Sequence, residues 1–328
     1  MNRRPWILRL AACATVAMLA TAGSPALAEF PDRQVKLVVG FPPGSGPDVV
    51  ARTLGQRLGE VLKAPSLVVD NKAGAGGQIA AQSVAKSPAD GYTLLLGEVG
   101  SISIAPAAYS KLPYDPAKEL LGLSEVVRSD FVLVVPASSS AKTVAEFVAA
   151  YKGRKDKVNF ATFGAGTPGH FGAEVFGEMA GFGVEPVHYR ATGEAVTAII
   201  AGDVQAAFLS TALAVAQVKG GKVRALATTA TARSSQLPDV ATFTEAGYPK
   251  ADFSAWFAVL APAGTPPAVA DALQRAISAS MNTPEVKQRL QEAGFTVFGT
   301  SRIETERMLK AEAQRWAAVV KATGFKGD

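Results

Sequence analysis

A chain of 328 residues, 48% apolar and 19% charged, is too long for one ordinary core and too apolar to stay disordered. The net charge of +5 overstates the basicity of the folded part, because residues 1–28 carry three arginines and no acid, leaving 30 − 28 = +2 for the remainder. No Lys/Arg-rich run is present, which argues against a nucleic-acid partner. Cys13 is the only cysteine, so a chain that loses its N-terminal segment has no disulfide, thiol nucleophile or cysteine metal site.

In chain order, the first element is a leader. Arg3, Arg4 and Arg9 precede the apolar stretch Leu10–Leu19, and Ala26-Leu27-Ala28 is a small-x-small cleavage site. Residues 1–28 read as a cleaved signal peptide, which sends the protein to the periplasm of a two-membrane bacterium. A rival reading is a lipoprotein box, Leu10-Ala11-Ala12-Cys13, with Cys13 lipidated. No later stretch is long and apolar enough to span a bilayer.

Strand-like runs then alternate with helical periods. Strands are expected at 35–39, 67–69, 93–96, 131–135, 158–161, 187–189, 206–209, 223–227 and 257–261, and helices between most of them. Three more helices, over 266–281, 284–293 and 303–322, close the chain, the last capped by Ser301. This alternation implies α/β layers with largely parallel sheets. Without a linker, two domains imply a chain that crosses between them more than once. The expected division is residues 29–129 with 254–328 for the first domain and 130–253 for the second.

Two loops have the composition of anion sites. After the first strand comes "FPPGSGPD": Pro42 and Pro43 are stiff, Gly44, Ser45 and Gly46 let a ligand approach the backbone, and Pro47 opens a helix whose first N–H groups face the loop. Asp48, in the first turn, caps N–H groups and shapes the loop. The alternative is an ordinary strand-to-helix turn. The second loop, "TFGAGTPGH", repeats the order strand, small residues, Pro, helix. Thr162, Thr167 and the N–H groups of Gly164, Ala165 and Gly166 form a second donor set. Its G-x-G-x-x-G spacing is a weak dinucleotide signature in an exported protein. One loop in each domain suggests a small anion held in an interdomain cleft.

Other candidates are single residues. Glu98 and Ser101 follow a strand end, where loops of α/β sheets meet ligands; a buried Glu98 would repel a carboxylate unless protonated. His170 either faces the ligand or bonds its own loop, and Arg190 is either a carboxylate clamp or a surface residue. Trp256 and Phe257 either stack on a ligand or pack in the core. His170 and His188 are the only histidines, too few for a three-histidine zinc site, and no hydrolase motif is present.

"FPDRQVKLVVGFPPGSGPDVVAR", "VDNKAGAGGQIAAQSVAKSPADGYTLLLG", "LPYDP", "VNFATFGAGTPGHFGAE", "GKVRALATT" and "AWFAVLAPAGTPP" together resemble the Bug-type solute receptors of tripartite tricarboxylate transporters. The resemblance runs from about Phe30 to the C-terminus. It implies a type II periplasmic-binding-protein fold of two α/β domains closing over a carboxylate, with no catalysis and no cofactor. It also implies a monomer that delivers its ligand to the large and small membrane subunits of a permease. The resemblance implies that the two glycine-rich loops hold the ligand; together with the single residues weighed above, the expected ligand set is Pro43, Gly44, Ser45, Gly46, Asp48, Ser101, Thr162, Phe163, Gly164, Ala165, Gly166, Thr167, His170, Arg190 and Ser210. The chain departs from the family at Pro47, where a threonine is common, at Phe163 and Ala165, which imply a more apolar wall, and at Leu209-Ser210, where an aspartate is frequent. The missing aspartate argues for a mono- or dicarboxylate, aromatic acids included, and against an amino acid. A sensor subunit for a membrane signalling protein and an exported hydrolase are the alternatives.

Overall fold

The computed structural model describes residues 30–189, 192–251 and 253–327. The expectations for the signal peptide, for Cys13 and for Arg190 lie outside the described residues.

The molecule is a mixed α/β structure of two domains. β1 (Val35–Val39), β2 (Leu67–Asn71) and β3 (Thr93–Glu98) pair in parallel, with β1 in the middle. β1 is buried along most of its length because helices cover both its faces. The crossovers are α1 (Gly46–Leu62) and α2 (Gln78–Ala85). In the second domain β5 (Val158–Thr162) pairs in parallel with β6 (Val184–His188) and β7 (Ala206–Ser210). Its helices are α3 (Val144–Tyr151), α4 (Pro168–Ala180), α5 (Thr192–Ala201) and α6 (Thr211–Lys219).

The two sheets are joined by one strand. β4 spans Leu120–Pro136, 17 residues. Its first part, to Asp130, runs antiparallel to β9 (Ser254–Pro262); from Phe131 it runs antiparallel to β7 and to β8 (Val223–Thr228). The result is a ten-stranded sheet among the described residues, with a continuous path of eight strands in the order β2-β1-β3-β9-β4-β7-β5-β6 and with β8 and the two-residue β10 (Thr296–Val297) also on β4. The sequence pattern shows only the second part of β4. The first part carries two register shifts, between Gly122 and Ser124 and between Glu125 and Val127, and is buried at nearly every position. A bulged strand covered on both sides has no period-2 alternation to read.

The chain closes with α7 (Pro267–Met281), α8 (Pro284–Glu292) and α9 (Arg302–Thr323). Ser301 caps α9 in a full capping box with Glu304. α9 spans both domains: Trp316 is buried, and its ring centroid lies 5.8 Å from that of Phe171 on α4. Glu312 Oε2 accepts the indole N–H of Trp316 at 2.9 Å and that of Trp256 on β9 at 3.1 Å. Trp256 is thereby a core residue. One hydrophobic cluster consequently runs unbroken from Val38 and Leu95 through Trp256 and Trp316 to Phe160, Phe171 and Phe208. Two more cores lie on the other face, one beneath α1, α7 and α8 and one beneath α5 and α6.

Candidate functional site

Gly40 follows β1 where two backbones touch: a Cβ there would lie 2.5 Å from the Cα of Gly77. The loop after it is folded around Asp48, which is 3% exposed. The Asp48 carboxylate accepts the Gly44 N–H at 2.9 Å, the Arg52 Nε–H at 2.9 Å and an amide N–H of Asn71 at 2.9 Å; Asn71 also donates to the Phe41 carbonyl at 3.0 Å. Burial alone would raise the Asp48 pKa. The hydrogen bonds from Arg52, Gly44 and Asn71, with the charge of Arg52, outweigh it and hold the carboxyl at about 2. Gly44 takes φ = +80°, which only glycine adopts without strain. Ser45 occupies the N-cap position, but its hydroxyl donates to the Pro42 carbonyl at 2.7 Å and caps no N–H. The donors left at the start of α1 are the N–H groups of Gly46 and Asp48, since Pro47 has none.

The second loop is also tied internally. Thr162, fully buried, pairs with His188 Nδ1 at 2.6 Å. Thr167 caps α4 by accepting the His170 N–H at 3.4 Å and donates its own proton to the Gly164 carbonyl at 2.9 Å. The Gly166 N–H donates to His170 Nδ1 at 3.1 Å, and the other ring nitrogen of His170 lies 3.4 Å from Glu174. His170 is 3% exposed and therefore holds its own loop. Burial, helped by the neighbouring His170, keeps the His188 ring below its ordinary pKa.

The two loops meet across a cleft of about 350 Å³. Phe41 and Pro47 line it from one side and Ala165, Gly166, Thr167 and Pro168 from the other. Several expected residues lie elsewhere. Phe163 packs against the core under α5 and α6. Ser101 is buried, donates its N–H to Glu98 Oε1 at 3.1 Å, and its carbonyl accepts the Tyr114 hydroxyl at 2.6 Å. Ser210 ends β7 opposite Phe131. Pro43 and Gly44 are exposed and do not line the cleft. Phe257 lines the cleft, unlike its neighbour Trp256.

Residues not anticipated complete the wall: Gln78, Ile104, Ala105, Ala108 and Tyr109. Gln78 follows the turn Gly74-Ala75-Gly76-Gly77, a third small-residue run before a helix, and that composition was the available signal. The Ile104–Tyr109 wall follows a π-type turn, Gly100–Ile104, for which the sequence offers no equivalent cue. Glu98 also faces this cleft, with 7% of its surface exposed, and burial pushes its carboxyl up to about 7 against the opposing N–H bonds of Gly100 and Ser101. A larger cavity, about 580 Å³, lies beside the crossing of β4, but neither glycine-rich loop reaches it. Among the described residues no group of three or more His, Cys, Asp or Glu could hold a metal ion, and no helix is long and apolar enough to cross a membrane.

The profile of the tripartite tricarboxylate transporter family receptor matches residues 50–325. The chain belongs to this family. It is 35% identical over 312 residues to protein BugT of Bordetella pertussis strain Tohama I, covering 94% of this chain and 95% of BugT. The structure of MatC from Rhodopseudomonas palustris, with bound malate, superposes with a TM-score of 0.76 at 30% identity, covering 89% of this chain and 100% of MatC. A second R. palustris protein, solved with adipate, gives a TM-score of 0.80 at 31% identity over 90% of this chain and 99% of that one. The protein is thus a solute-binding receptor of a periplasmic family and not an enzyme, in accord with the resemblance seen in its sequence.

Proposed function

We propose that this receptor captures a small mono- or dicarboxylate, aromatic acids included, in the 350 Å³ cleft and presents it to the large and small membrane subunits of a tripartite permease. The observation that carries the reading is the convergence of two stiff, glycine-rich loops from different parts of the chain on one cleft. One ligand carboxylate would sit at the start of α1 on the N–H groups of Gly46 and Asp48. The apolar wall of Ile104, Ala105, Ala108 and Phe257 would cover the carbon skeleton. Relatives with bound malate and adipate support the ligand class. Residues 29–129 with 254–328 then form one closing domain and 130–253 the other, a division supported by the change of partners along β4 between Asp130 and Phe131. The place of action is the periplasm, after removal of residues 1–28.

A thermal-shift screen of mono-, di- and tricarboxylates tests the reading. A true ligand at 100 times its Kd adds about 2.7 kcal/mol to stability. No stabilisation by any of them would overturn it. Co-purification with the permease subunits in the presence of that ligand tests the partner.

A further inference from the structure

Glu98 is the one formally ionisable carboxyl among the described residues lining the cleft, and no Lys, Arg or His joins it there. A receptor for carboxylates that buries a carboxyl in its binding cleft faces a conflict of charge, since two carboxylates in one desolvated site repel strongly. The geometry resolves it in one way. We propose that Glu98 meets the ligand as a neutral acid and donates a hydrogen bond from its carboxyl to an anionic ligand oxygen, so that in alkaline solution each carboxylate captured takes up to one proton from solvent into the cleft. This rests on the carboxylate reading given above.

Glu98 ends β3, opposite Phe257 of β9, and is directed by the turn that follows it: a Cβ on Gly100 would lie 2.5 Å from Glu98 Oε1. The Ser101 N–H holds that same oxygen at 3.1 Å. The groups packed around it leave the proton no better place. Gly77 closes one side without a side chain. Tyr114, whose own pKa burial pushes up, has given its hydroxyl to the Ser101 carbonyl. Tyr109 and Gln78 stand in the cleft wall and bring no formal positive charge to it. Burial by the protein alone raises the Glu98 carboxyl to about 7. A bound anion would raise it further by excluding water and adding negative charge. An O–H···O⁻ bond between acid and carboxylate is short and charge-assisted, so the pair attracts where two anions would repel.

The test uses adipate, malate and benzoate, taking forward whichever binds the full-length mature protein most tightly. Calorimetry near pH 8 in two buffers of different ionisation enthalpy counts the protons taken up. Close to one is expected for the natural protein and close to none for Glu98→Gln. The natural protein's affinity should weaken by up to about tenfold per pH unit above pH 7, while that of Glu98→Gln stays flat. Binding without proton uptake, or an unchanged pH slope in Glu98→Gln, would overturn the proposal and leave the carboxylate reading standing. So would 6-aminohexanoate binding more tightly as the pH rises, because an ionised Glu98 would then be reading an ammonium. If no carboxylate binds at any pH between about 5.5 and 8.5, the carboxylate reading falls and this proposal with it. Should Glu98→Gln not fold, the proton count on the natural protein decides alone.

Discussion

Replacing Asp48 with asparagine should destabilise the empty protein at neutral pH, and the loss should fade in acid. The Asp48 carboxyl sits at about 2 against an ordinary 3.8. A depression of roughly 1.8 units corresponds to about 2.4 kcal/mol of stability when the group is ionised. Arg52, its charged partner, is half exposed, so solvent screens part of that attraction and about 1–2 kcal/mol is the better expectation. The sign follows from the direction of the shift. The folded pKa lies below the unfolded one, so the contribution is complete above about pH 4 and disappears as the pH falls towards 2. Urea unfolding of both proteins at several pH values, followed by the fluorescence of Trp256 and Trp316, measures it. A difference below about 0.5 kcal/mol at pH 7, or one that persists undiminished near pH 2.5, would refute the claim that Asp48 holds this loop by charge-assisted bonds. The same variant should bind ligand more weakly, since the Gly44 turn loses its anchor.

Glu98 behaves in the opposite sense. Its folded pKa of about 7 lies above the ordinary 4.5, so the unfolded chain releases its proton first and stability falls as the pH rises from 4.5 through 7, by up to roughly 3 kcal/mol. Glu98→Gln should therefore be more stable relative to the natural protein at pH 8 than at pH 5; equal differences by chemical denaturation would contradict the buried acid. Glu312→Ala leaves two buried indole N–H groups without their acceptor and should cost about 2–5 kcal/mol, whereas Glu312→Gln keeps an acceptor and should cost less; equal melting points for the two would dismiss the role of that oxygen. Gly172→Val places a side chain where even a Cβ would lie 2.2 Å from the Phe253 ring, and should lower the melting temperature sharply.

Much of the fold is legible in the sequence because parallel strands buried on both faces appear as short apolar runs, and because caps such as Ser301 have local signatures. The glycine-rich loops are legible for the same reason: their conformation is set by Pro and Gly at fixed places. What the sequence does not reveal is where the donors point. Ser45, Thr162 and Thr167 read as ligand donors by residue type, yet their hydroxyls meet Pro42, His188 and Gly164. His170 likewise spends its Nδ1 on Gly166. These partners are set by three-dimensional folding of the loop, and short polar side chains beside an irregular backbone satisfy that backbone first. The wall from Ile104 to Tyr109 was invisible because it reaches the cleft through a π-type turn.

The strand β4 has a consequence for how the molecule comes apart. Because its two ends are laddered to different partners, no cut near residue 130 yields a self-sufficient half: the N-terminal fragment would keep β3 and Leu120–Asp130 without β9, and the C-terminal fragment would keep β9 without either neighbour. The shared aromatic core across α9 adds to this. The receptor should therefore melt as a single cooperative unit, and its jaws should open by twisting a common sheet, with the elastic resistance of that sheet deciding how often the empty receptor gapes.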